Sequence, residues 1–418
     1  MLEGLLYYFY LLLPFSFALN PVASIDLPIA RVVVVLLSVS WLVRTLLQRQ
    51  IEIRALGVLA LFLFWLLWSA LSPLWALDPT WSMRKVVFLL NIGLLFPILL
   101  TLSQEKLAKL AQAFVYGAIL IALVACIEAG LQFFLSLDEI LTLWNTQVLP
   151  FFLGNNFALV VKEYPSLLVN VLGTTYLRVT AFFPDPHTLS LYLGLALPLV
   201  YVWQHTVRTF VAKFSFVLVG VAILLTFSRG AYTAILLTSI ILLSILLAKD
   251  YRQYGKYFLV GMLLLGGVFF ATPVGPRILS SVSAEDGSRT ERLRLLEEAV
   301  HYSFTRPFLG VGVGNYPLLV KPDASMREPI YVHNLYLDIA VETGFIGLLL
   351  FLSFIGSALW LGFRRWRDSQ DPLMLACGIS TIYFLFHGFF EAPLFSFHVM
   401  FALFLLVAYQ AVPRTKTV

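Results

Sequence analysis

A histidine and two carboxylates stand together at the start of one strongly apolar stretch. His333 is followed by Asn334, Asp338 and Glu342. Because Asp338 and Glu342 are four residues apart, a helix places both on one face, roughly one and a half to two and a half turns beyond His333. A helix that begins here would also offer unpaired N–H groups to an anion. A single histidine at a membrane edge is usually structural, but this combination predicts a site in which His333 is a general base or an anion-binding group.

Three arginines could supply the positive charge that such a site needs. Arg229 lies in Ser228-Arg229-Gly230 between two apolar runs with almost no loop, where an uncompensated charge would be costly, so we interpret it as functional. Arg178 precedes another apolar run, and alone it would be read as an anchor that reaches the membrane surface. Arg292 lies in a segment whose Leu293, Leu296, Val300 and Phe304 recur at helical spacing. That spacing predicts an amphipathic helix on the membrane surface or packed on the bundle.

Other motifs near these residues are less informative. The glycine run at 310–314 lacks the Lys-Ser/Thr ending of a P-loop and no strand precedes it, so we exclude nucleotide binding there. His387, Glu391 and His398 form a second polar group that fits supporting hydrogen bonds as well as catalysis. Glu128, inside an apolar run, has no role that the sequence explains.

Composition indicates the elements that must position these groups. Of the 418 residues, 60% are hydrophobic and 12% are charged, against about 25% charged residues in soluble globular proteins. The net charge of +5 comes from short Lys and Arg clusters between apolar runs, which argues against a nucleic-acid partner. Uncharged runs such as 86–104 are long enough to cross a bilayer as helices. The sequence therefore predicts a multi-pass membrane protein in contact with lipid.

Apolar runs between charged, proline and glycine positions predict an all-α, polytopic transmembrane bundle of about twelve spans. They begin near residues 5, 27, 55, 84, 108, 188, 210, 231, 256, 334, 371 and 394. We expect residues 1–272 to form spans 1–9 with a loop at about 137–187. Residues 273–332 should form a short helical subdomain that caps a cavity open to the lipid, and residues 333–418 should form spans 10–12.

The distribution of Lys and Arg predicts the orientation of the bundle, because cytoplasmic connections retain an excess of them. Most such residues in short connections fall in one alternating set. The other set holds only Arg31, Arg84, Lys85 and Arg229. This bias predicts cytoplasmic termini and places both long loops, the three arginines and His333 on the opposite face.

In this order, the motifs resemble the bacterial O-antigen ligase and O-antigen polymerase superfamily from about residue 170 to 350. The matching elements are Arg178 with Phe183 and Pro186, Ser228-Arg229-Gly230, Arg292 before Pro307-Phe308-Leu309-Gly310, and His333-Asn334 with Glu342 and Gly344. The chain departs from the family pattern with Ala181 in place of a frequent Gly, His187 in place of Asn, and Leu296 in place of Trp.

The resemblance is closest to O-antigen ligase, and it implies a metal-independent, inverting glycosyltransferase of the bacterial inner membrane. Such an enzyme would move a glycan from an undecaprenyl-pyrophosphate carrier to a lipid A-core hydroxyl at the periplasmic face. It would need no cofactor and no metal. His333 would be the catalytic base, Arg229, Arg292 and Arg178 would bind the pyrophosphate, and Asn334, Asp338 and Glu342 would support them.

Other functions stay open at this point. An O-antigen polymerase or a protein O-oligosaccharyltransferase would use similar chemistry with another acceptor. A polysaccharide or lipid transporter would require polar residues near the bilayer midplane and broken helices in paired repeats. The polar groups here gather at one face and no sequence repeat is visible, which favours an enzyme.

Overall fold

The computed structural model describes residues 2–22, 25–49, 52–162, 164–171, 173–247, 287–324 and 330–414, with only the backbone of residues 22, 165, 171 and 287–291. A helix begins within a few residues of each expected start except the one near residue 256. That span and residues 273–286 of the expected subdomain lie outside the described residues.

The described part of the chain up to residue 247 contains a series of helices and two short hairpins. Its elements are α1 (Leu2–Leu12), β1 (Ala18–Val22), β2 (Ile25–Pro28), α2 (Ile29–Gln48), α3 (Leu56–Leu71), α4 (Pro79–Gly93), α5 (Leu95–Leu99), α6 (Gln104–Leu131), α7 (Leu137–Leu143), α8 (Leu149–Leu153), α9 (Asn155–Val161), β3 (Leu168–Val171), β4 (Thr174–Leu177), α10 (Pro186–Val207), α11 (Phe210–Leu225) and α12 (Arg229–Leu247).

The described part after residue 286 is helical. Its elements are α13 (Gly287–Thr305), α14 (Tyr316–Val320), α15 (Leu335–Ser369), α16 (Pro372–His387) and α17 (Phe397–Ala411).

Among the described helices, six are long and apolar enough to cross a membrane. They are Ile29–Gln48, Leu56–Leu74, Pro79–Leu99, Gln104–Leu131, Arg229–Leu247 and Leu335–Ser369. Shorter apolar helices lie at Leu2–Phe15, Phe210–Leu225, Pro372–His387 and Phe397–Ala411. The chain is thus an all-α, multi-pass membrane protein, as the composition predicts, whereas a count of twelve crossings is not confirmed.

Two antiparallel hairpins, β1–β2 and β3–β4, are an addition to the expected all-helical architecture. The first hairpin holds the stretch at 137–187 through Asp26, whose carboxylate accepts hydrogen bonds from the N–H groups of Asn156 (3.2 Å) and Phe157 (2.9 Å) at the start of α9. An acceptor at this position satisfies N–H groups that have no partner within the helix. The hairpin therefore anchors part of a long loop to the N-terminal end of the chain.

The core of the bundle is centred on α17, in which His398 to Ala411 are all buried. A helix that is apolar on all sides must be surrounded by others. Tyr10 of α1 donates to the Phe401 carbonyl at 3.0 Å, and Tyr383 of α16 donates to the Ser190 carbonyl of α10 at 3.1 Å. These buried hydroxyls satisfy their polar atoms while fixing neighbouring helices.

Helix α15 is broken at Gly344, where φ is 70° and ψ is 176°. The carbonyls that lose their helical partners at the break accept hydrogen bonds from main-chain N–H groups of another segment. Val311 N donates to the Val341 carbonyl and Gly312 N to the Glu342 carbonyl, each at 2.9 Å. Beyond the break, Phe345 N donates to the Pro307 carbonyl at 2.7 Å. The main chain of residues 307–312 therefore replaces the missing helical hydrogen bonds.

The glycines of this run have a structural explanation. Gly310, Gly312 and Gly314 all have positive φ, a region that favours glycine. A Cβ on Gly310 would lie 2.5 Å from the Val341 carbonyl oxygen. We call residues 307–316 the glycine loop, and its glycines allow close packing against α15.

Helix α13 packs on α15 through a buried stripe, with Leu295, Ala299 and Ser303 buried. On another side of the helix, Leu293, Val300 and Phe304 are exposed. The predicted helix is confirmed, but most of the face that was expected to be its apolar packing face points away from the protein. An exposed apolar stripe on a helix of this kind suits contact with lipid.

Candidate active site

His333 lies beside Glu391, although they belong to different segments of the chain. The Nδ1 atom of His333 is 3.3 Å from Oε2 of Glu391. Because a carboxylate can only accept, Nδ1 carries the hydrogen and Nε2 is left with its lone pair. His333 itself has a φ of 54°, a left-handed conformation that is uncommon outside glycine. The surrounding structure must therefore hold this residue in place.

Hydrogen bonds between the start of α15 and the end of α16 fix this pair. Leu335 N donates to the Gly388 carbonyl at 2.7 Å, and the Asn334 amide donates to the Phe389 carbonyl at 3.4 Å. The Asn334 side-chain oxygen accepts from the N–H groups of Tyr336 and Leu337, both at 3.1 Å. These N–H groups are occupied, so the expected anion site at this helix start is not formed. Asn334 instead acts as the N-cap that orients the segment carrying His333.

His187 joins the same cluster from the start of α10. Its Nδ1 atom is 3.1 Å from Oγ of Ser228 and 3.8 Å from Oε1 of Glu391. Its Nε2 atom faces Nη2 of Arg178 at 3.5 Å. Since a guanidinium only donates, Nε2 accepts and Nδ1 carries the hydrogen. Glu391 thus lies between His333, to which it is hydrogen-bonded, and His187, whose Nδ1 is hydrogen-bonded to Ser228.

The segment Ser228-Arg229-Gly230 packs directly against the Glu391 loop. A Cβ on Gly230 would lie 2.7 Å from Cβ of Phe390, so only glycine allows this approach. Arg229 is half-buried at the first position of α12. The charge of Arg292 acts on both His187 and Glu391. Ser228 and Gly230 thus place Arg229 next to the cluster of His333, Glu391, His187 and Arg178, and the charge of Arg292 reaches the same cluster.

The electrostatics of the cluster keep Glu391 ionised. Burial disfavours its charged form, but the hydrogen bond from His333, the charge of Arg292 and the positive charge that His333 and His187 carry when protonated together hold the pKa of the carboxyl below its usual range. A neighbouring opposite charge has this effect because it stabilises the carboxylate.

Arg178 is held by main-chain acceptors. Its Nε donates to the Thr226 carbonyl at 2.7 Å and its Nη1 to the Ser166 carbonyl at 2.8 Å. The side chain is buried. Arg178 therefore links the segment before α12 to the loop before α10, a role that differs from the surface anchor considered above.

Glu128 holds the segment of chain that follows Arg178. Its buried carboxylate accepts from the N–H of Thr180 at 3.0 Å and from that of Ala181 at 2.6 Å. Ala181 has a φ of 48°, a left-handed conformation that favours glycine. The carboxylate fixes this left-handed turn, so Glu128 has a structural role that the sequence left open.

Asp338 and Glu342 belong to a separate buried group around Lys85 of α4. The charge of Lys85 acts on both carboxylates, and that of His333 acts on Asp338. The N–H groups of Gly314 and Tyr316 donate to the Glu342 carboxylate. These contacts fix the glycine loop to the first half of α15. Their part in the site is thus to support the element that begins at His333.

Within the described ranges, no group of three or more His, Cys, Asp and Glu side chains has an arrangement that could hold a metal ion. Two residues of the cluster, His187 and Glu391, were not predicted as site residues from the sequence. The sequence grouped Glu391 with His387 and His398, but in the structure only Glu391 of these three is hydrogen-bonded to His333. His387 and His398 are buried, and His398 packs with its ring 4.5 Å from that of Phe183.

Comparison with known families agrees with the resemblance drawn from the motifs. Residues 214–352 match the family model described as O-antigen ligase. The matched range contains Arg229, Arg292 and His333, whereas Arg178 and Glu391 lie outside it. No curated protein matches the sequence. The match covers 139 of the 418 residues, and it is consistent with the O-antigen ligase superfamily.

Proposed function

We propose that this protein is an O-antigen ligase that transfers a glycan from undecaprenyl pyrophosphate to a lipid A-core hydroxyl. The observation that carries the proposal is the cluster that unites His333 and Glu391 with Arg178, Arg229 and Arg292. The match of residues 214–352 to the O-antigen ligase family supports it. By the distribution of Lys and Arg, the site lies on the periplasmic face of the inner membrane and both termini are cytoplasmic.

His333 is the general base of the proposed reaction. Its Nδ1–H donates to Glu391, so Nε2 accepts the proton of the acceptor hydroxyl. The hydroxyl oxygen then bonds to the anomeric carbon as the bond between that carbon and the phosphate oxygen breaks. The electron pair leaves with undecaprenyl pyrophosphate, and a single displacement inverts the anomeric centre. A positioned base contributes about 10²- to 10⁴-fold to the rate.

The arginines bind the pyrophosphate and stabilise the charge that grows on it as the glycosidic bond breaks. Arg229 and Arg292 have this role in our proposal. Arg178 contributes charge to the same cluster while its Nε and Nη1 remain on main-chain carbonyls. This division of cationic groups requires no divalent ion.

The proposal is tested with full-length protein purified in detergent, in the presence of EDTA. The donor is an undecaprenyl-pyrophosphate-linked glycan and the acceptor is lipid A-core. We expect product from the wild type and severe losses in His333→Ala and Arg229→Ala, while His301→Ala, an exposed histidine of α13, should retain activity. Lengthening of the lipid-linked glycan without a lipid A-core product would instead identify a polymerase. No transfer of any kind by the wild type would refute the glycosyltransferase proposal.

A further inference from the structure

Two tyrosines from different loops meet beside the proposed base. The ring of Tyr331 lies 5.2 Å from that of His333 with an interplanar angle of 78°. The hydroxyl of Tyr331 is 3.4 Å from the hydroxyl of Tyr164, which lies between α9 and β3. The 137–187 stretch and the segment before α15 therefore both contribute an aromatic ring at this point.

The ring of Tyr331 is on the other side of its segment from the apolar core. Its neighbours Ile330 and Val332 pack into a cluster with Tyr316 and Val341. Successive side chains of an extended segment point in opposite directions, and Tyr331 accordingly faces His333 and Tyr164. The residues on either side of Tyr331 pack against the glycine loop and α15, whereas Tyr331 itself is directed toward His333.

Burial and nearby carboxylates act on these two phenols. Burial is the largest cause of the raised pKa of each tyrosine, and the carboxylate of Asp185 raises both further. Glu391 adds to this effect on Tyr331. The phenols therefore stay protonated and can donate and accept hydrogen bonds. Protonated phenols suit the neutral hydroxyls of a sugar, to which they can donate and from which they can accept.

We propose that Tyr331 and Tyr164 form the subsite that binds the acceptor sugar. This inference rests on the proposed function, because the acceptor hydroxyl must reach Nε2 of His333 and its sugar ring must then lie against the groups that flank the imidazole. An aromatic ring with a polar hydroxyl suits a sugar, which has apolar C–H faces and hydroxyl edges. The pyrophosphate of the donor binds at the arginines around His187, and the acceptor sugar binds at the tyrosines.

The test separates acceptor binding from chemistry in the full-length protein. Initial rates are measured for Tyr331→Leu, Tyr331→Phe and Tyr164→Phe with lipid A-core and the undecaprenyl-pyrophosphate-linked glycan each varied in turn. Tyr331→Leu should raise the acceptor KM about tenfold or more, with kcat and the donor KM changed less than about threefold. Each Phe variant loses one hydroxyl, which predicts an increase of roughly 2- to 10-fold in the acceptor KM.

Tyr302→Phe is the matched control, because Tyr302 is a half-buried tyrosine of α13 that packs in an apolar cluster. Thermal unfolding of each variant identifies those with a damaged fold, and the Phe variants keep the ring. An unchanged acceptor KM in all three variants, or an equal rise in the donor KM, would overturn the acceptor subsite while leaving the transferase intact. A wild type without transfer would overturn the proposed function and this inference together.

Discussion

The Nδ1 atom of His333 and the Oε2 atom of Glu391 are 3.3 Å apart, although 58 positions separate the two residues in the chain. One carboxylate oxygen faces His333 and the other lies 3.8 Å from Nδ1 of His187. In our proposal Glu391 is a positioning residue, since it holds the imidazole of the base and stabilises the imidazolium that forms during transfer.

Glu391→Gln should lower kcat by about 10- to 100-fold, a part of the rate that a positioned base contributes. Gln keeps the size of the side chain but removes its charge. We expect little change in the KM of either substrate, because Glu391 orients the base and the arginines bind the donor. A loss seen only in the donor KM would assign Glu391 to substrate binding.

The pH dependence of the same variant gives an independent readout. The pKa of Glu391 is lowered, so its carboxylate stays charged throughout the pH range in which an ordinary carboxyl group titrates. It takes up a proton only at pH values below that range. Between about pH 5 and 8 the acidic limb of the wild-type rate profile must therefore come from other groups. Removing the negative charge disfavours an imidazolium, so the acidic limb should move to lower pH in Glu391→Gln. Identical profiles would show that Glu391 does not act through a histidine.

Gly344→Ala should destabilise the protein by on the order of 3 kcal/mol, because alanine is disfavoured at positive φ and its Cβ would lie 2.1 Å from the Phe308 carbonyl oxygen. Thermal unfolding in detergent measures the effect. Gly356→Ala is the control in the same helix, where a Cβ meets nothing within 4 Å. Comparable stability of the two variants would contradict the packing described for the break.

Arg178→Lys keeps the charge but cannot reproduce the forked bonds to the carbonyls of Thr226 and Ser166. The loss of buried, charge-assisted hydrogen bonds predicts a destabilisation of about 2 kcal/mol. Arg306→Lys, at an exposed position, should change stability by less than about 0.5 kcal/mol. A stable Arg178→Lys protein with a raised donor KM would indicate that Arg178 acts mainly on the pyrophosphate.

Glu128→Gln should cost about 1–3 kcal/mol, since Oε2 accepts from the N–H groups of both Thr180 and Ala181 and an amide NH2 in the place of Oε1 would face the Thr180 N–H. Unfolding is again the measurement, with the exposed Glu105→Gln on the same helix as the control. Equal stability of the two variants would mean that the turn at Ala181 does not depend on this carboxylate.

The sequence predicted the helices well because a bilayer imposes long apolar runs, and these are visible residue by residue. It also selected His333 and Arg229, since polar and charged groups at the ends of such runs need a reason, whereas Arg178 and Arg292 were selected mainly through the family resemblance. Glu391 and His187 could not be assigned in the same way. Their meeting depends on how the end of α16 packs against the starts of α10 and α15, and no local pattern records that packing.

The glycine run shows a second limit of prediction from the sequence. Its spacing was visible, but its purpose depends on the break at Gly344, which is compensated only by main-chain groups. The hairpins were missed for a similar reason, since strands of four or five residues carry too little periodicity to be distinguished from loops. Glu128 was recognised as unusual, yet its acceptor role depends on a turn 52 positions away.

The glycine loop joins α13, which carries Arg292, to the short half-helix that begins beyond His333. Because main-chain hydrogen bonds fix this loop to α15 on both sides of the break, the backbone that carries Arg292 is tied to the backbone that begins at His333. A movement of α13 on donor binding would therefore be passed on to the start of α15. The spacing between the phosphate-binding charge and the proton acceptor would then stay constant through a turnover, and the arrival of the donor would require no separate alignment of the base.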